Sequence, residues 1–403
     1  MKFCMVTTFY PPYHFGGDAT YIYRLSNALA QRGHDVDLIH DRDAYYLAHP
    51  SEPTAQFENH FRVTVHALKS RAGFLSPLAT QQTGQPWFKS QVKKLVESQH
   101  YDVIHFHNIS LIGPGALAYG DAIKLQTLHE HWLICPMHIL WKFDREVCAQ
   151  RDCFLCTIHG KRPPQLWRYT GFLDRQLKHI DQFISPSRFT RQKHFEEKPN
   201  LPITVLPYFV PPIPESTDYS PPSPRPYFLF VGRLVKIKGL QTLLPVFKNY
   251  PQADLLVVGE GEYEARLREL ARDIPNVKFL GALPQTRLRA FYRDAIAVIM
   301  PSICFEVFGI VQIEAFAVRT PVIVRDLGGM PEPIEDSNGG FVFQADQELV
   351  QAMTRLQENP TLRNTLGENG YAAYMKLWNE EAHLKKYFEI IASVGERKSA
   401  PVE

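Results

Sequence analysis

The chain has 403 residues, 45% hydrophobic and 21% charged, with a formal net charge of +2. That length exceeds one ordinary core and favours two domains of about 200 residues each, and the charge balance argues against nucleic acid as a partner. No apolar run approaches the roughly 18 residues of a membrane span, and the apolar start turns polar at Thr7, too soon for a secretory signal. With only six cysteines in so long a chain, a disulfide scaffold is excluded and a reducing, cytosolic setting is expected.

In chain order, apolar runs at 2–7, 35–40, 61–68, 102–107, 123–129 and 182–185 read as strands, with helical patterns at 18–32, 87–98 and 166–179. Eight of the 31 prolines then fall between Pro207 and Pro226, a stiff, extended stretch that reads as an interdomain linker. Beyond it, short apolar runs at 227–231, 253–258, 277–280, 295–300 and 321–324 alternate with amphipathic stretches. The latter start at Gly239 (Leu240, Leu243, Leu244, Phe247), at 262–272, around Leu288, Phe291 and Tyr292, and at 308–318. Continuous apolar strands between amphipathic helices describe a parallel sheet covered on both faces. The expected fold is α/β, with two Rossmann-like doubly wound domains facing across a cleft at the carboxyl ends of both sheets, where open sheets bind ligands. The boundaries expected are 1–206 for the first domain, 207–226 for the linker, 227–370 for the second domain and 371–403 for a terminal helical segment.

Four constellations could carry chemistry. Gly16-Gly17-Asp18 follows the first strand, where adjacent glycines let backbone N–H groups approach an anion; a plain turn explains them equally. His129-Glu130-His131-Trp132 ends the strand at 123–129, beside the pair His105 and His107, which share one face of their strand. A histidine there can donate to a sugar or phosphate, although a lone histidine is more often structural. Arg233, just past the strand at 227–231, and Lys238 suit a diphosphate, or form a basic surface loop. Glu306 would stand at the carboxyl edge of the sheet and Glu314 on the helix after it. Two carboxylates so spaced can hold hydroxyls of two different sugar rings; taken singly, each also reads as a cap or surface acid.

The order Gly16-Gly17, His129, Gly232-Arg233-Leu234, Lys238-Gly239, Glu306-x7-Glu314, Pro321-Val322-Ile323 and Gly328-Gly329-x-Pro331-Glu332 resembles the retaining glycosyltransferases of family four, whose fold is called GT-B. The resemblance covers nearly the whole chain and is most specific in the second half. It implies a UDP- or GDP-linked sugar donor held mainly by the second domain, and an acceptor (a glycan, a lipid-linked glycan or a small molecule) mainly on the first. By the same resemblance Arg233 and Lys238 neutralise the departing diphosphate. Glu306 contacts donor-sugar hydroxyls with the backbone of Phe308, Gly309, Ile310 and Val311, and Glu314 binds the ribose. Leu283 meets the base through its main chain, His129 lies near the reacting face of the donor sugar, and Gly16 and Gly17 form the turn beneath the diphosphate. Tyr374-x3-Trp378-x8-Tyr387 resembles a last helix that packs back across the first domain. No catalytic metal is implied, and no Asp-x-Asp occurs between Arg233 and Glu314. The competing readings are a nucleotide-sugar epimerase, which needs no acceptor site, and a non-catalytic nucleotide-sugar-binding protein.

Two features depart from the pattern. Arg319 stands where the family has glycine, and a positive φ there would cost about 1 kcal/mol. Cys135, Cys148, Cys153 and Cys156 lie in an insert, 132–164, with spacing C-x12-C-x4-C-x2-C. The Cys153-x2-Cys156 knuckle suits structural zinc, with His129, His131, His138 and His159 as possible substitute ligands; reduced or partly disulfide-bonded cysteines are the other reading. Residues 142–194 hold eleven Lys and Arg against five Asp and Glu, a local charge of +6. Such a segment is either a solvated helix face or a peripheral contact with the inner face of a membrane.

Overall fold

The computed structural model describes residues 1–400 apart from 48, 50, 54, 55 and 213–222. The chain divides into two compact units, one of Met1–Leu206 with the chain end from Leu384, the other of Pro207–His383.

In the first unit the strands are β1 (Lys2–Val6), β2 (Asp35–Asp41), β3 (Val63–Leu68), β4 (Val103–Phe106) and β5 (Ile123–Thr127). A small hairpin, β6 (Trp141–Lys142) with β7 (Glu146–Val147), precedes β8 (Gln182–Ser185) and β9 (Ile203–Val205). The seven-stranded sheet runs β3-β2-β1-β4-β5-β8-β9, parallel throughout. Phe3, Cys4, Met5 and Val6 of β1 are all fully buried, as a central strand covered on both faces requires. The helix Gly17–Gln31 returns from β1 and buries Tyr21, Ile22, Leu25 and Leu29.

In the second unit the strands are β10 (Tyr227–Val231), β11 (Asp254–Val258), β12 (Val277–Phe279), β13 (Val298–Met300), β14 (Val322–Arg325) and β15 (Gly340–Phe343), ordered β12-β11-β10-β13-β14-β15 and again parallel. Each large sheet reverses its strand order beside its first strand, between β1 and β4 and between β10 and β13. Loops at the carboxyl ends of those strands diverge and leave room for a ligand.

Several elements differ from expectation for identifiable reasons. The helix Leu75–Thr83 has no apolar stripe to announce it, since it buries Ser76, Pro77, Thr80 and Gln81. The single helix expected at 166–179 is split into a short turn Leu166–Tyr169 and a helix Phe172–Leu177 by Gly171 at φ 66°. Of the expected linker, Phe209 and Val210 are fully buried, and Val210 N–H donates to the Trp378 carbonyl at 3.0 Å; residues 213–222 lie outside the described residues. Tyr374 and Trp378 stay in the second unit, where Trp378 stacks on Phe316 at 5.8 Å. The passage back to the first unit therefore falls between His383 and Leu384, within the helix Glu380–Ser399, and Tyr387 there stacks on Phe3 at 6.3 Å.

Arg319 does adopt a left-handed backbone, φ 62°. Its guanidinium lies 3.7 Å from the centroid of the Tyr371 ring and pairs with Glu368 at 2.9 Å. These contacts offset the backbone strain.

Candidate functional site

The second unit assembles its charged groups at its switch point. β10 ends in Gly232, and exposed Arg233 follows. The chain then turns through Lys236–Lys238 to Gly239, φ 74°, whose backbone lies so close to the Pro301 carbonyl that a Cβ would stand 2.1 Å from its oxygen. Only glycine permits that approach, which brings Lys238 beside the loop leaving β13. Lys238 Nζ donates to Glu306 Oε1 at 2.5 Å, and Ser302 Oγ donates to the same oxygen at 2.8 Å. The main chain of Glu306 is fixed as well. Gly329 N–H donates to its carbonyl at 2.8 Å, and Gly328, φ 69°, leaves no room for a Cβ, which would stand 2.6 Å from that oxygen.

Burial would raise the Glu306 carboxyl, but the Lys238 ammonium, the Ser302 hydroxyl and the Arg233 charge outweigh it and hold it below the usual glutamate range. It is thus a fixed anion. Arg233 has no side-chain hydrogen bond or ion pair among the described residues, so its charge is available to an incoming anion.

Glu314 sits on the helix Ile310–Phe316 and accepts from Tyr292 Oη at 2.9 Å. The structure thus brings Arg233, Lys238 and Glu306 together and holds Glu314 against a different partner. Gly309, φ 88°, opens that helix, and Phe308 packs edge-on against Tyr208 at 5.7 Å. Leu283 lies half-buried in the loop after β12, two strands along the sheet from β10. Ser302 and Tyr292 were not among the candidate residues. A serine directly after a buried strand was the available signal for the first, whereas Tyr292 is indistinguishable from a core aromatic by sequence.

In the first unit Gly16, φ 79°, and Gly17 lead from β1 into its helix, and Asn108 Nδ2 donates to Asp18 at 3.4 Å. His107 and His129, beyond β4 and β5, are buried, with His107 Nδ1 2.9 Å from His129 Nε2. Burial drives His129 down to about 3 and His107 well below its ordinary value. Both rings are therefore neutral at physiological pH, and one donates to the other. His105 is anchored separately, to Thr127 Oγ1 at 2.8 Å and Tyr387 Oη at 2.9 Å. The tyrosine from the chain end thereby fixes a strand-end histidine, a contact no local pattern encodes.

All six cysteines are free, and Cys135, Cys148, Cys153 and Cys156 line one pocket of the insert. No helix among the described residues is long and apolar enough to cross a membrane.

Two doubly wound parallel sheets with ligand-facing loops at their switch points are the GT-B architecture. Residues 15–212 match the family model of Glycosyltransferase Family 4 and residues 215–373 that of Glycosyl transferases group 1, and the chain belongs to the glycosyltransferases built from these two domains. It is 26% identical over 371 residues, 87% of each chain, to an uncharacterized glycosyltransferase of Methanocaldococcus jannaschii. It is 34% identical over 174 residues to a GDP-mannose-dependent monoacylated alpha-(1-6)-phosphatidylinositol monomannoside mannosyltransferase of Corynebacterium glutamicum, across 40% of this chain and 46% of that protein. Among solved structures, sucrose-phosphate synthase from Thermosynechococcus elongatus superposes with a TM-score of 0.72 at 20% identity, over 98% of this chain and 99% of that one.

Proposed function

We propose that this glycosyltransferase takes its sugar from a UDP- or GDP-linked donor and transfers it with retention of anomeric configuration. The observation that carries the reading is the Lys238–Glu306–Ser302 cluster beside Arg233, at the switch point of the second sheet. A nucleotide sugar presents a diphosphate next to a polyhydroxyl ring. The former calls for fixed cations and the latter for a fixed carboxylate. Arg233 and Lys238 meet the diphosphate as negative charge builds on it, a stabilisation largest where water is excluded. Glu306, kept ionised, accepts from the sugar hydroxyls. With two cations placed for the leaving group, the reading calls for no catalytic metal ion.

Glu314 binds the ribose by exchanging its Tyr292 hydrogen bond for nucleotide hydroxyls, and the main chain at Leu283 meets the base. In the first unit His129, neutral and oriented by His107, serves the transferred sugar as a hydrogen-bonding group, and Gly16 and Gly17 form the anion-approaching turn. Retention needs no protein nucleophile when a donor phosphate oxygen takes the acceptor proton, and none of the assigned residues is one. The acceptor is a glycan, a lipid-linked glycan or a small molecule. The dependence on GDP-mannose in the name of one relative supports a nucleotide-sugar donor.

The test is incubation with a panel of UDP-, GDP- and ADP-sugars, following released nucleotide and the anomeric configuration of the product. Slow hydrolysis or transfer with one UDP- or GDP-sugar is expected. Epimer formation, or binding without turnover of any donor, overturns the reading.

A further inference from the structure

The insert after His129 gathers groups for which donor chemistry has no use. Cys135, Cys148, Cys153 and Cys156 line one pocket with Met137 and Trp141. Cys153 and Cys156 open the helix Cys153–His159 at a spacing of three, which puts both sulfurs on one helix face. Cys148 follows the hairpin β6–β7 and is tied back by its N–H to the Leu140 carbonyl at 2.7 Å.

Three further observations concern what this pocket holds. A backbone amide points at sulfur, that of Phe143 at Cys156 Sγ at 3.5 Å, the kind of contact that serves a metal-bound sulfur.

Second, among the described residues five of the seven non-glycine residues with positive φ, His138, Leu140, Phe143, Asp144 and Lys161, fall in this insert. Each conformation costs about 1 kcal/mol and persists only where its surroundings over-determine the backbone. Phe143 and Asp144 occupy the hairpin turn that Arg145 N–H closes on the Lys142 carbonyl at 3.0 Å, and Lys161 caps the end of the helix Cys153–His159, which leaves His138 and Leu140, in the loop after Cys135, as the positions the hairpin and helix do not account for.

Third, Arg168 lies between Trp132 and Trp167, its guanidinium 4.8 and 4.9 Å from their ring centroids. Its Nη2 is buried without a hydrogen-bond partner among the described residues, which leaves one N–H of a cation unsatisfied beside the insert.

We propose that Cys135, Cys148, Cys153 and Cys156 together bind one structural zinc ion as a four-thiolate site. Zinc takes four such sulfurs in tetrahedral geometry, and closed sites of this kind are structural. Four thiol protons leave as the ion enters, no oxidant is needed, and the resulting charge of −2 is met by Arg168 and Arg151. No histidine lines the pocket that the four cysteines share, and His138 is engaged with Glu130 at 2.8 Å and His129 with His107, so the ligand set is sulfur. Among the described residues no three His, Cys, Asp or Glu side chains yet stand as a metal-holding group, so binding draws the sulfurs inward from the pocket they share. The ion would stiffen the segment that starts just past His129, since Cys135 N–H donates to the His131 carbonyl at 2.7 Å and His131 N–H to that of His138 at 2.9 Å.

The experiment is elemental analysis of the full chain, expressed with zinc in the medium and freed of loose metal by gel filtration. It is paired with thiol titration before and after a mercurial reagent. One zinc per chain is expected, released in step with reaction of four thiols, and the cobalt-substituted protein should show the intense absorption of a tetrahedral thiolate set. Zinc at the buffer level with the four thiols freely reactive, a mass lowered by disulfide formation, or a cobalt spectrum of oxygen and nitrogen ligands overturns the proposal. The double variant Cys153→Ser, Cys156→Ser should lose the ion. If that variant fails to fold, the native protein still decides. Metal content is read without turnover, so failure here is distinct from failure of the donor assignment.

Discussion

Replacing Glu306 probes the proposed donor site directly. Its carboxylate accepts from Lys238 Nζ at 2.5 Å and Ser302 Oγ at 2.8 Å, with side-chain exposures of 13% for Glu306 and 26% for Lys238. Breaking a fully buried pair by removing one partner costs about 3–5 kcal/mol. Here water reaches the ammonium, so Glu306→Ala should cost about 1–3 kcal/mol in urea unfolding, with a double-mutant cycle against Lys238→Ala recovering most of it as coupling. Because the carboxyl is held below its ordinary range, this contribution is complete above the unfolded value near 4.5 and is lost as pH falls through the lower folded value. Turnover should fall by about two orders of magnitude, the scale of one lost transition-state contact, or about 2.7 kcal/mol. Glu306→Gln retains an oxygen for Ser302 and loses only charge, so its stability should lie between Ala and native while turnover stays at least about tenfold down. Steady-state kinetics with the donor found in the panel, alongside urea melts of all five proteins, separates folding from function. If Glu306→Ala turns over within a factor of two of the native protein, its assignment as the sugar-contacting acid is refuted.

Tyr292→Phe removes the 2.9 Å donor to Glu314 and should cost about 1.5–3 kcal/mol of stability, as for a hydrogen bond to a charged group, and lower KM for the donor, because Glu314 then reaches the ribose without giving up that bond; an unchanged KM would argue against Glu314 as the ribose ligand. Arg319→Gly relieves a left-handed residue worth about 1 kcal/mol and gives up the Tyr371 stack at 3.7 Å, worth about 0.5–1 kcal/mol at an exposed site, so thermal unfolding should shift little. A large destabilisation would mean that the stack and the Glu368 pair dominate. Five buried histidines of the first unit are depressed by burial, His40, His129 and His131 to about 3, His194 to about 4 and His107 well below its ordinary value. Protons therefore bind the unfolded chain first: stability is complete above the unfolded value near 6.5 and falls below it by about 1.4 kcal/mol per pH unit for each ring. Urea midpoints should drop steeply between about pH 6.5 and pH 5, and a flat profile would refute neutral burial.

The alternation of short apolar runs and amphipathic stretches determined two doubly wound sheets, because a strand covered on both faces must be apolar along its whole length, as residues 3–6 of β1, all of β10 and residues 255–258 of β11 are. The resemblance carried by Gly232, Arg233, Lys238, Glu306 and Gly328 pointed to one cluster, and the structure does gather Lys238 and Glu306 beside Arg233 at the switch point. Contacts made at a distance were decided only in three dimensions. The polar inner face of Leu75–Thr83 has no helical period to read, and Tyr292 reaches Glu314 across 22 positions. Tyr387 fixes His105 across 282, and its unit is completed by residues from Leu384 onward. Sequence records which side chains are apolar, charged or able to ligate. The choice of partner depends on where the folded backbone brings residues remote in the chain, so the near-neutral composition and the scattered cysteines took on meaning only once the sheets had placed them.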